Sequence, residues 1–102
     1  MAILEVTITP LGTGSTSISR YVADCHKILE EETQINVQLT PMGTIMEGDL
    51  DVLLRVVRRM HEQPFEKGAM RVSTQIKIDD RRDKAASMEK KVSSVMEKLN
   101  QA

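Results

Sequence analysis

Ile35-Asn36-Val37-Gln38-Leu39-Thr40-Pro41-Met42-Gly43-Thr44-Ile45-Met46-Glu47-Gly48 is the stretch on which the fold turns. Ile35, Val37 and Leu39 alternate with Asn36, Gln38 and Thr40, the two-residue period of a half-buried strand. Pro41-Met42-Gly43 then reverses the chain into Thr44 to Gly48, so the pattern predicts a hairpin of two short strands. What surrounds this hairpin fixes the architecture.

On its N-terminal side the period changes. Ile18, Tyr21, Val22, Cys25, Ile28 and Leu29 recur at three- and four-residue steps, with Ser19, Arg20, Asp24, Lys27 and Glu31 opposite them. This predicts a helix capped by Thr16 or Ser17 and ending near Thr33. Before it, Ala2 to Thr9 alternates, with Leu4, Val6 and Ile8 on one face, and Pro10-Leu11-Gly12-Thr13-Gly14 is expected to stop that strand in a loop.

On the C-terminal side Asp49 is a good N-cap for a second helix carrying Leu50, Leu53, Val57 and Met60 and stopping at Gly68, its last turn bent or broken by Pro64. Met70 to Ile78 alternates again, with Val72, Thr74, Ile76 and Ile78 on one face. After the charged run Asp79 to Lys84, the stripe Ala85, Met88, Val92, Val95 and Leu99 predicts a third helix, frayed over Asn100-Gln101-Ala102.

The order β-α-β-β-α-β-α is the split βαβ pattern of a ferredoxin-like α+β fold, a four-stranded antiparallel sheet with an extra C-terminal helix. At 102 residues the expectation is one domain over 1–102. Both crossover helices cover the same face. The other face, with Glu5, Thr7, Thr9, Asn36, Gln38, Thr40, Ser73, Gln75 and Lys77, is polar, and is either solvated or a hydrogen-bonding interface.

Composition narrows the function. Lys and Arg number 14 against 15 Asp and Glu, and Tyr21 and Phe65 are the aromatic residues, so the chain has neither the basic surface nor the stacking rings of a nucleic-acid binder. Cys25 is the one cysteine, which precludes an internal disulfide. Apolar runs fall far short of the roughly 20 residues of a membrane span, and Met1-Ala2-Ile3-Leu4-Glu5 has no basic leader, so a cytoplasmic location is expected.

No catalytic or metal constellation emerges. Cys25 and His26 adjoin on a helix, about 100° apart, and are unsuited to act as nucleophile and base. His26 and His61 lack the i, i+4 spacing of a zinc helix. Pro10 to Thr16 resembles a phosphate loop but has no lysine. Glu47 either caps the next helix or is a carboxylate aimed at a ligand. The Asp79 to Lys84 run is either a self-neutralising turn or a lid at the end of the last strand, and Met42 and Met46 either fill the core or line an adaptable pocket.

Three blocks taken together carry a family likeness: Pro10-Leu11-Gly12-Thr13-Gly14-Ser15-Thr16-Ser17-Ile18-Ser19, Met42-Gly43-Thr44-Ile45-Met46-Glu47-Gly48, and Arg71 to Asp83 with Thr74, Lys77, Asp80 and Arg81. In order along nearly the whole chain, and with His61-Glu62, they resemble the thiamine-binding protein family, also called YkoF-like. The resemblance implies a ferredoxin-like homodimer or homotetramer that binds thiamine or its hydroxymethylpyrimidine part without turnover, with no cofactor, in cytoplasmic thiamine salvage or transport. It places Thr13, Ser17, Gly43, Thr44, Glu47, Thr74, Asp80 and Arg81 at the ligand, Glu47 foremost. The alternative is a regulatory protein whose oligomers use the same loops to contact a protein partner.

Overall fold

The computed structural model describes residues 1–14, 19–83 and 87–101. The hairpin forms as expected: β2 (Asn36–Thr40) and β3 (Gly43–Gly48) pair antiparallel from Thr40 opposite Gly43 to Asn36 opposite Glu47. Its two-residue turn is tied by side chains. Thr40 Oγ1 donates to the Gly43 carbonyl at 2.8 Å and accepts from the Met42 amide at 3.3 Å.

Glycine is required at position 43. A Cβ there would lie 2.9 Å from Thr7 Oγ1 and 3.0 Å from the Val6 carbonyl oxygen, closer than packed atoms tolerate. The space it leaves lets the Thr7 hydroxyl reach the Met42 carbonyl at 3.1 Å, which pins the turn to the neighbouring strand.

β1 (Ala2–Leu11) and β4 (Arg71–Asp79) complete a sheet in the order β2-β3-β1-β4, antiparallel throughout. β1 runs two residues past the expected stop at Thr9. Val6 is the last β1 residue paired with β3, whereas the ladder to β4 continues to Leu11 opposite Arg71. Pro10 therefore sits where β1 has a neighbour on one side alone, a setting in which a strand accepts proline. β4 is displaced by one residue, and Met70 is left outside it, 92% exposed.

α1 (Ser19–Glu30) closes with Glu31 and Glu32 amides bonded three residues back, and the cap expected from Thr16 or Ser17 lies outside the described residues. α2 (Leu50–Glu66) is capped by Asp49, whose carboxylate accepts from the Asp51 amide at 3.2 Å. It is not broken at Pro64; the helix continues through Glu66. Proline has no N–H to give Met60 O one turn back, and the Cys25 thiol of α1 donates to that carbonyl instead, at 3.5 Å. A defect in one helix is thus met by the other.

α1 and α2 cover one face, burying Leu4, Val6 and Met46 of the sheet under Cys25, Leu29, Leu53, Val56, Val57 and Met60. At roughly 1.5–3 kcal/mol for each large apolar side chain removed from water, this cluster dominates stability. Glu32 ties the helices at their edge, meeting Arg55 and Arg59 at 3.2 Å each. This is the split βαβ arrangement of the ferredoxin-like fold.

α3 (Met88–Gln101) is the added helix, with Ser87 Oγ accepting from the Lys90 amide as its N-cap. It includes Asn100 and Gln101, which were expected to fray, and Ala102 lies outside the described residues. Its stripe is not covered: Val92, Val95, Met96 and Leu99 are each more than half exposed. No helix among the described residues is long and apolar enough to cross a membrane.

Candidate functional site

Sheet register separates the expected ligand residues Thr44 and Glu47. Thr44 stands opposite Val6 and so shares the helix-covered face, whereas Glu47, opposite Ile3 and Asn36, points to the other face. The two are about 10 Å apart along β3 as well. They lie on opposite faces of the sheet, toward opposite ends of β3.

Thr44 and Gly43 line a cavity of about 190 Å³ between α1 and the hairpin. Its walls are mainly apolar: Val6 and Ile8 from β1, Val22 from α1, Leu39 from β2, and Met60 from α2. Pro41 and Met42 of the turn form one rim, with Met42 82% exposed. No Asp, Glu, Lys or Arg is among the described lining residues.

The polar groups of this wall fall into two sets. Thr7, Thr40 and Cys25 are occupied by hydrogen bonds to Met42, Gly43 and Met60 carbonyls. Tyr21, His26 and Thr44 have side-chain polar atoms that bond to no described residue, and His26 Nδ1 is sealed from solvent as well. A small apolar hollow with a few unengaged donors and acceptors is the usual form of a small-molecule site. Its volume is below the roughly 300–1,000 Å³ of a drug-sized pocket, and suits a single substituted ring.

The one thiol of the wall is a poor nucleophile. Burial, and secondarily the charge of Asp24, pushes the Cys25 thiol up to about 11, so it carries almost no thiolate near neutrality. Among the described residues no three His, Cys, Asp or Glu side chains are grouped to hold a metal.

Glu47 is 8% exposed and both its carboxylate oxygens are engaged. Oε1 accepts from Asn36 Nδ2 at 2.7 Å, and Oε2 accepts from the Met88 amide at 2.9 Å. It caps a helix, but the last one rather than the next, and its charge lies against the positive end of α3. Lys91 of α3 adds an ion pair with Asp79 of β4.

Thr74 shares the helix-covered face but lies across β1 from the cavity, and its hydroxyl is 2.7 Å from His61 Nδ1. Asp80 and Arg81 follow β4 at the Glu47 end. Asp80 is bound by Arg82 at 2.7 Å and Arg81 by Asp83 at 2.5 Å, so Asp80 to Asp83 neutralise one another, while Asp79 pairs with Lys91 and Lys84 lies outside the described residues. The guanidinium of Arg82 holds the Asp80 carboxyl below its ordinary range. Thr13 lies in the loop after β1 and is not a lining residue, and Ser17 lies outside the described residues. Of the eight, the structure brings Gly43 and Thr44 together in the cavity.

Tyr21, Cys25 and His26 were not among the expected site residues. Tyr21 and Cys25 carry the spacing of a core stripe, and Cys25 indeed belongs to the core. The available signal was the doubled row Tyr21-Val22 and Cys25-His26, which sets a second helical row beside the buried one. Met42 lines the cavity, while Met46 is wholly buried and fills the core.

Comparison with known proteins agrees with the architecture and supplies a family. The UPF0045 protein YqgV of Bacillus subtilis is 53% identical over 102 residues, spanning 97% of this chain and 98% of its own. A UPF0045 protein of Methanothermobacter thermautotrophicus is 43% identical, spanning 97% and 100%. The crystal structure of MJ1052 from Methanocaldococcus jannaschii superposes with a TM-score of 0.83 at 34% identity, over 94% of this chain and 96% of that one. A Thermotoga maritima protein provisionally assigned to thiamine biosynthesis or salvage shares the fold, with a TM-score of 0.74 at 17% identity over 92% and 97% of the two chains. The family model described as thiamine-binding protein matches residues 4–96. A match over nearly the whole length, with these relatives, establishes that the chain belongs to the thiamine-binding protein family.

Proposed function

We propose that this chain, acting as one domain, binds thiamine or its hydroxymethylpyrimidine part without turnover, in the cavity between α1 and the hairpin, and serves cytoplasmic thiamine salvage or transport. The observation that carries the reading is the polar set of Tyr21, His26 and Thr44, unengaged on an otherwise apolar wall. A flat aminopyrimidine offers ring nitrogens and an amine to such groups and apolar faces to Val6, Val22 and Met60. The volume and the uncharged wall favour the pyrimidine ring inside, with the cationic thiazolium at the Met42 rim.

Thiamine has roughly 18 heavy atoms, and at about 0.3 kcal/mol each the gain is about 5 kcal/mol, a dissociation constant above 100 μM. Tighter binding needs more enclosure. A second copy supplies it in this reading, as a homodimer or homotetramer. Met88, Val92, Val95 and Leu99 follow the four-three-four spacing of a coiled-coil seam, which is complementary to itself. The competing reading, a regulatory protein whose oligomers use the same loops to contact a protein partner, predicts no saturable small-molecule binding.

Titration calorimetry with hydroxymethylpyrimidine, thiamine and its phosphates separates them. Saturable heat that weakens about tenfold in Thr44→Val supports the site. Absence of heat for every compound, with the chain folded, overturns it.

A further inference from the structure

The cavity wall holds one atom whose situation has a chemical consequence. His26 Nδ1 is sealed from solvent and has no hydrogen-bond partner. Nε2 of the same ring is not sealed, makes no bond to a described residue, and belongs to a side chain that lines the cavity. A neutral imidazole must place its one proton on one of these two nitrogens.

The two placements do not cost the same. With the proton on Nδ1, an N–H is buried without an acceptor, the kind of orphan that folded proteins almost never keep. With the proton on Nε2, the sealed atom is a lone pair, and the N–H lies on the accessible edge. We infer that His26 is held as the Nε2–H tautomer and is the donor that reads a ring nitrogen of the heterocycle in this cavity. The inference rests on the binding reading above.

The donor assignment sets a division of labour. The Tyr21 and Thr44 hydroxyls turn freely between donor and acceptor, so they accommodate whichever group the ligand presents. His26 has no such freedom while Nδ1 stays sealed. It selects ligands with an sp² acceptor nitrogen and disfavours those with C–H at that place. A site built to hydrogen-bond one group rejects the analogue lacking it, because its own donor is then left unpaired.

The test has two arms. Nitrogen-15 NMR of imidazole-labelled protein reads the tautomer directly, with a protonated Nε2 and bare Nδ1 expected at His26 in free protein and with hydroxymethylpyrimidine added. Calorimetry then compares hydroxymethylpyrimidine with its pyridine counterparts, in each of which one ring nitrogen is replaced by C–H. Wild type is expected to favour the pyrimidine over one counterpart by about tenfold. His26→Phe is expected to level that preference, and His26→Gln, which keeps a donor near the Nε2 position, to retain most of it. An Nδ1–H tautomer, or a preference that survives His26→Phe, overturns the inference. If wild type binds none of these compounds while the NMR arm shows Nε2–H, the binding reading has failed and the tautomer stands.

Discussion

Replacing Glu47 by Ala removes two acceptors at once, and the structure indicates where the loss falls. Asn36 Nδ2 is part-exposed and turns to water at small cost, but the Met88 amide is the first of α3 and loses a charged partner. Ser87 still caps the Lys90 amide in the variant, so the loss is that of a partly buried carboxylate at the positive helix end, about 2 kcal/mol, which corresponds to roughly a 30-fold shift of a local equilibrium. The shift is local because α3 beyond Met88 is exposed, and an isolated helix of 14 residues is marginal in water. Hydrogen exchange should show protection of the Val92 to Glu97 amides falling at least tenfold, while the β1 and β3 amides keep theirs. Glu47→Gln should fall between, since it retains an acceptor and loses the charge. Unchanged α3 exchange in Glu47→Ala would refute the capping role. If the same variant lost tenfold in pyrimidine affinity with α3 intact, Glu47 would be restored as the ligand carboxylate suggested by the family likeness.

Three further outcomes follow from particular contacts. Gly43→Ala should destabilise by about 1–3 kcal/mol in urea unfolding, because its Cβ meets a backbone oxygen at 3.0 Å that has nowhere to move. Cys25, with a folded value of about 11 against 9.0 when unfolded, keeps its stabilising contribution below pH 9 and loses it as the pH climbs toward 11, by up to about 3 kcal/mol. Alkylation by iodoacetamide should accordingly be slow at pH 8 in the folded chain and fast in denaturant. If α3 forms the proposed seam between copies, Val95→Glu, which places a charge in its exposed stripe, gives a smaller species in sedimentation than wild type with the same far-ultraviolet spectrum; an unchanged species would overturn that seam.

The strands and helices were legible because each has one buried face and a period to declare it: Leu4, Val6 and Ile8 at two-residue steps, Leu53, Val57 and Met60 at three and four. Local chemistry such as the Asp49 cap was legible for the same reason, since its partner is two residues away. Pro10 lies inside β1 and not at its end because a strand accepts proline where a neighbouring strand is missing, a property of the sheet and not of the segment. Glu47 could be recognised as a cap, but not of which helix, because its partner is 41 residues away. The cavity was least legible. Tyr21 and Cys25 carry the spacing of core residues, and the doubled row that they form with Val22 and His26 marks a broader face of α1 without showing that this face borders a hollow.

The claim that the α1–hairpin cavity is the binding site is tested most directly by mapping amide chemical-shift changes as hydroxymethylpyrimidine is titrated into the labelled chain. Saturable shifts concentrated at Tyr21, Cys25, His26, Gly43 and Thr44 are the result predicted here. Saturable shifts centred instead on Asn36, Glu47 and Met88, with the cavity residues unmoved, would contradict it.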